Sequence, residues 1–167
     1  MTVRSERPGD VAAIRGVNLA AFAGALEADL VDALRVQARP IISLVADDSG
    51  SITGHILFSP VTLSASSGVK IMGLAPMAVL PTRQREGIGS ALVSAGLDAC
   101  QQLGFLAVVV LGHAKYYPRF GFEPASRFGI LCEYDVPDDV FMALELEPNA
   151  LNGKTGIIRY HAAFANA

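Results

Sequence analysis

A basic surplus is the first thing this sequence lacks. Its 13 lysines and arginines are outnumbered by 16 aspartates and glutamates, for a net charge of −3. A dedicated nucleic-acid binder carries the opposite balance, so no nucleic-acid partner is expected. Cysteine is nearly absent. Cys100 and Cys132 stand far apart, without a CxxC or a zinc-ligand spacing. They read as small core hydrophobes in a reducing compartment. The histidines, His55, His113 and His161, are scattered, nothing resembles H-E-x-x-H, and no metal is expected. Long apolar runs are missing too. The longest, Phe105 to Leu111, falls far short of the ~20 residues that a membrane helix needs. Met1 to Pro8 lack the apolar stretch of a signal peptide. A soluble, cytoplasmic protein with no membrane partner is the expectation.

What is present is core. Hydrophobic residues make up 51% of positions and charged ones only 17%, which excludes a disordered tail. With 167 residues the chain predicts a single domain over 1–167, large enough to need neither disulfides nor metals.

Periodicity then divides the chain. Pro8 and Asp10 open a helix that carries Val11, Ile14, Val17 and Ala21 at helical spacing. Gly24 separates it from a second helix with Leu26, Leu30 and Leu34 on one face, which ends at Pro40. Ile41 to Ala46 and Ile52 to Leu63 read as strands joined by the turn cluster Asp47-Asp48-Ser49-Gly50. Val69 to Leu80 is a strand interrupted by Pro76, where the missing N–H predicts a bulge or a splayed pairing. A long helix runs from Gly87 to Leu103, with Ile88, Ala91, Leu92, Ala95, Ala99 and Leu103 as its expected buried stripe. Phe105 to Leu111 is a continuous apolar strand, so strand, glycine turn, helix and strand form a βαβ crossover with parallel strands. Phe141 to Leu146 and Gly156 to Phe164 are two further strands, the last a possible homodimer edge. The expected fold class is α/β or α+β: a mostly antiparallel central sheet with one splayed parallel strand pair and flanking helices.

The segment that carries chemistry is Pro81-Thr82-Arg83-Gln84-Arg85-Glu86-Gly87-Ile88-Gly89-Ser90-Ala91. It enters a helix N-terminus from a strand, where free N–H groups and the helix dipole favour an anion. Gly87 and Gly89 let a phosphate approach the backbone, and Arg83 and Arg85 add positive charge. The alternative reading of the glycines is a tight turn that serves helix–sheet packing. A P-loop does not fit, because no lysine follows Gly89, and a dinucleotide fingerprint does not fit, because Leu92 stands where the third glycine belongs.

Gln84-Arg85-Glu86-Gly87-Ile88-Gly89 resembles the acyl-CoA loop of the GNAT N-acetyltransferases, Gln/Arg-x-x-Gly-x-Gly/Ala. Met77-Ala78-Val79 resembles that family's pantetheine-binding strand. Tyr116-Tyr117-Pro118-Arg119-Phe120-Gly121-Phe122 resembles its Tyr-x-x-x-Gly-Phe segment. Together with Gly54-His55-Ile56-Leu57-Phe58-Ser59-Pro60, the pattern is similar to the YhbS-like branch. The resemblance implies direct transfer of an acetyl group from acetyl-CoA to an amine, in a ternary complex. It implies a CoA pyrophosphate on the N–H groups of Arg85 to Ser90, pantetheine and thioester on Met77, Ala78 and Val79, and Tyr117 as the general acid for the leaving thiolate. Ser90 closes the loop set. The general base stays open between Glu27, His55, His113 and a water relay. Two other classes also remain open: a CoA-binding regulatory module without turnover, and a structural domain whose glycine loop binds nothing.

Overall fold

The computed structural model of the chain describes residues 1–66 and 68–166. They fall into two compact units. The first holds Met1–Ser59, Ala75–Gly96 and the C-terminal stretch from Ala162. It opens with strand β1 (Thr2–Ser5) and a 3-10 turn at Pro8–Asp10 that leads into α1 (Val11–Ala21). The helix α2 (Leu26–Gln37) follows, then β2 (Ile42–Asp48) and β3 (Ser51–Leu63). Both pairings, β1 with β2 and β2 with β3, are antiparallel. The hairpin between β2 and β3 turns where the Asp and Gly cluster predicts, with Gly50 N–H donating to Asp47 Oδ1 at 2.7 Å.

Alternation along β3 gives it two faces. Leu57 packs with Ile14 of α1 and Leu30, Val31 and Leu34 of α2, while His55 on the same face meets Asn18 of α1. Gly54 and Phe58 point the other way, onto α3 (Ile88–Gln102).

The face of α3 differs from its hydrophobic pattern. Ile88, Leu92, Val93 and Cys100 are buried, whereas Ala91, Ala95 and Ala99 are half-buried and Leu103, just past the helix, is exposed. The reason is Gly96. A Cβ there would lie 2.2 Å from the Phe58 ring, so the helix closes onto β3 through a residue with no side chain. Hydrophobic periodicity gives such a position no weight.

The second unit holds Pro60–Leu74 and Leu97–His161. Strand β4 (Ile71–Val79) starts here and runs parallel to β5 (Ala107–Leu111). The parallel register runs from Ile71–Ala107 to Leu74–Val110 and stops two residues before Pro76. Strand β8 (Phe141–Glu145) pairs antiparallel with β5 and with the short β6 (Glu123–Pro124). A second parallel pair joins β7 (Ile130–Cys132) to β9 (Gly156–Arg159), and β9 pairs antiparallel with Thr62 and Leu63 of β3. The sheet is thus mostly antiparallel, with helices supplied by α1, α2 and α3.

The expected strand Gly156 to Phe164 is cut to β9. Tyr160 N–H donates to Glu133 Oε2 at 2.6 Å rather than to a strand, and a 3-10 turn occupies Ala162–Asn166. β9 is therefore four residues long, and both β3 and β7 pair along it. No helix among the described residues is long and apolar enough to cross a membrane.

Candidate active site

The glycine loop lies in the first unit. Leu80 N–H donates to Thr53 O at 2.9 Å and holds the end of β4 on β3. Ahead of that anchor Met77 and Val79 are half-exposed and Ala78 is 2% exposed, the alternation of a strand with one covered face. A 3-10 turn at Pro81–Arg83 follows, and Gln84 Nε2 reaches back to Val79 O at 3.3 Å. Arg85 (φ 65°) and Gly87 (φ 86°) both turn left-handed, which bends the chain into α3. The first helical bond is Ala91 N–H to Gly87 O at 3.0 Å. The N–H groups of Ile88 and Gly89 therefore have no acceptor within the helix, and they point along its axis at the positive end of the dipole.

The charge at the loop is lower than its sequence suggests. Arg83 bridges Glu86 and Asp48, each at 3.1 Å, so its charge is balanced locally. Arg85 and Glu86 are both exposed, and Ser90 is half-buried in the first turn of α3.

Tyr117 lies in the second unit, in the 3-10 turn Tyr117–Phe120 that follows β5. Its ring sits edge-on to Tyr116 (5.0 Å) and Phe122 (5.7 Å). Gly112 makes room for it, since a Cβ there would come within 2.3 Å of Tyr117 Cε2. Burial, with some help from the Tyr116 phenol, pushes the Tyr117 hydroxyl up to about 12, so it keeps its proton at neutral pH. Gly121 ends the turn at φ 101°, a conformation that suits glycine.

The base candidates separate by environment. His55 is fully buried with both ring nitrogens engaged, by Asn18 Nδ2 (3.3 Å) and Ser43 Oγ (2.9 Å). Ser43 Oγ donates to Glu6 Oε1 at 2.6 Å, so His55 Nε2 carries the proton and Nδ1 accepts. His55 is a structural histidine. His113 is exposed, and its carbonyl accepts from Tyr116 N–H. Glu27, in the first turn of α2, is partly buried. Among the described residues no group of three or more His, Cys, Asp or Glu could hold a metal ion.

A model of the acetyltransferase (GNAT) domain matches residues 40–124. The "Uncharacterized N-acetyltransferase YhbS" of Escherichia coli K12 is 36% identical over 98% of both chains. The chain belongs to the GNAT acetyltransferase family. Among solved structures, this GNAT chain is similar to E. coli YhbS in complex with CoA, at a TM-score of 0.92 and 35% identity over 98% of this chain and 91% of that one. It is also similar to a GNAT acetyltransferase from Brucella melitensis in complex with acetyl-CoA, at a TM-score of 0.80 and 38% identity over 98% and 97%. The mixed α/β fold with its parallel β4–β5 pair is that of the acetyltransferases. Sequence reading missed the service of Gly112 to Tyr117, for which no local pattern exists.

Proposed function

We propose that this GNAT protein transfers the acetyl group of acetyl-CoA directly to an amine within a ternary complex. One observation carries the reading: the complete acyl-CoA motif, Gln84 to Gly89, stands at a helix N-terminus whose first N–H groups have no acceptor in the helix. In this reading the backbone from Arg85 to Ser90, with the side chains of Gln84, Glu86 and Ile88 shaping the turn, holds the pyrophosphate. The backbone of Met77, Ala78 and Val79 hydrogen-bonds pantetheine in the manner of an added strand and steadies the thioester oxygen. The amine nitrogen attacks the carbonyl carbon, the C–N bond forms and the C–S bond breaks. Tyr117 gives its phenolic proton to the departing sulfur, and the proton that the amine nitrogen loses passes to a base or through water and restores the phenol. Holding both reactants together replaces a second-order encounter, which can contribute up to ~7–11 kcal/mol in well-oriented systems.

We assign these roles residue by residue, since the loop and Tyr117 belong to different units. We further take residues 1–167 to act as one catalytic domain, and the cytoplasm, where acetyl-CoA and reduced thiols such as Cys100 and Cys132 coexist, as its compartment.

Two measurements test the reading. Calorimetry should detect CoA and acetyl-CoA binding. A screen of amines, read by release of the CoA thiol, should find an acceptor. Binding without transfer to any amine would favour a regulatory CoA-binding module.

A further inference from the structure

The second unit gathers aromatic side chains around one phenol. Tyr117 is 7% exposed, and its ring meets Tyr116 at 5.0 Å, Phe122 at 5.7 Å and Phe120 at 6.4 Å. Two of its neighbours are held by the core. Phe122 is 2% exposed, and Gly112, against which the ring lies, donates its N–H to Val140 O at 3.0 Å. Tyr116 differs. It is half-buried and caps the start of the 3-10 turn that carries Tyr117. A half-buried ring has packing on only part of its surface, so its angle depends on what covers the rest.

Arg119 supplies that cover. Its guanidinium carbon lies 4.4 Å from the centroid of the Tyr116 ring, and its Nε–H donates to the Tyr116 carbonyl at 2.9 Å. One side chain thus grips both the ring and the backbone of one residue. The double grip needs a planar cation with an N–H in its plane and a free face, which arginine has and lysine lacks. The Arg119 charge is also not matched by an acid. Arg4, Arg15, Arg35, Arg83 and Arg127 each bridge one, whereas Arg119, among the described residues, bridges none. Tyr116 in turn meets Phe120 edge-on at 5.4 Å as well as Tyr117. Exposed Arg119, half-buried Tyr116 and buried Tyr117 therefore form three layers in contact.

We propose that Arg119 and Tyr116 form a clamp that fixes the Tyr117 hydroxyl at the angle its proton transfer needs. This rests on the acetyl-transfer reading above. Both are positioning residues, which act through Tyr117 and not on the reacting atoms. A phenol oxygen lies in the plane of its ring, so a tilt of the ring carries the proton with it. A hydrogen bond weakens steeply with angle, and a misplaced donor loses rate. The competing role for an exposed arginine in an acyl-CoA protein is a phosphate contact. That role would change binding and leave the rate of the bound complex alone.

The test has two arms. In the first, NMR of ring-labelled tyrosine follows Tyr117, assigned by the signal lost in Tyr117→Phe. Arg119→Met should shift and broaden that signal. Arg127→Met, which removes another exposed arginine of the same unit, should not. An unmoved Tyr117 signal in Arg119→Met would overturn the proposal, and this arm needs no acceptor. The second arm reads thiol release from acetyl-CoA with n-butylamine or water as the acceptor. Arg119→Met should lower kcat about 2- to 5-fold, the size of an exposed cation–π contact, with acetyl-CoA affinity and the urea midpoint unchanged. Arg119→Lys keeps the charge and should recover part of the rate. In a Tyr117→Phe background, Arg119→Met should change the rate little further. Weaker acetyl-CoA binding at unchanged kcat would give Arg119 to a phosphate, and a loss that adds to that of Tyr117→Phe would make the clamp structural only. Either result would overturn the proposal. Wild-type protein that binds neither CoA nor acetyl-CoA would instead overturn the acetyl-transfer reading, while the NMR arm still judges the clamp.

Discussion

The acid role proposed for Tyr117 rests on a single proton. Its phenol, held protonated by burial, is a donor across the physiological range. Tyr117→Phe keeps the ring and its edge contacts with Tyr116 and Phe122 and removes only the proton. Turnover should fall about 10²-fold, the lower end for a general acid because thiolate leaves readily, with acetyl-CoA affinity kept. Full single-turnover transfer by that variant would reduce Tyr117 to a packing residue. Gly112→Ala tests the same proton from behind. The added methyl cannot coexist with the ring at 2.3 Å, so the hydroxyl must move. The rate should fall in the wild-type background and change little further in Tyr117→Phe, where no proton remains to misplace. Additive losses would mean that Gly112 serves only the fold. The tyrosine is legible from its motif. Its dependence on Gly112 is not, because no property of a glycine in sequence names the ring that covers it.

At the scale of elements, α3 shows what periodicity reads and what it cannot. Its existence, its start after the glycine loop and its stop near Gly104 follow from local chemistry. Its orientation follows from the contact of Gly96 with Phe58. Gly96→Ala should therefore destabilise the protein by about 1–3 kcal/mol, the usual range for overpacking, despite alanine's better helix propensity. Urea unfolding reads this directly, and a more stable variant would show that the helix can shift away at no cost. The N-terminus of the same helix carries the binding prediction. Gly89→Val should crowd a pyrophosphate on the first-turn N–H groups and weaken CoA binding while the fold survives. Unchanged affinity by calorimetry would move the phosphate site elsewhere. The short strands β1, β6 and β7 span two to four residues each, too few to show a period of two above chance.

For the whole molecule the clearest consequence is its response to acid. Arg35 holds Glu6, Glu6 accepts from Ser43, Ser43 accepts from His55, and Asn18 donates to His55. Helices α1 and α2 and strands β2 and β3 are thereby tied through one buried histidine. Burial pulls His55 from 6.5 down to about 4, against the pull of Glu6, so the folded state keeps it neutral. The unfolded chain binds that proton near 6.5, so stability falls as pH drops from about 6.5 toward 4. A shift of this size corresponds to about 3 kcal/mol at its limit. Glu6 acts in the same direction. Burial opposes its charge, but bonds from Arg35 and Ser43 prevail and lower it, and that stabilisation is lost on acidification. Denaturant midpoints at pH 7, 5.5 and 4.5 should fall in order, and His55→Gln should flatten the slope. A flat wild-type profile would contradict the neutral buried histidine.

What the sequence by itself determined was local. Proline at 76 brings no N–H to a ladder, glycines around 87 turn a chain into a helix, and a motif of six residues points to a family. These depend on neighbours in the chain and are written there. The tertiary structure decided which side chains share an environment. It made His55 a buried strut rather than a base, balanced Arg83 with Asp48, and left Glu27 Oε2 buried without a hydrogen-bond partner. Each of those outcomes depends on residues distant in sequence being brought together, and desolvation acts only once they are.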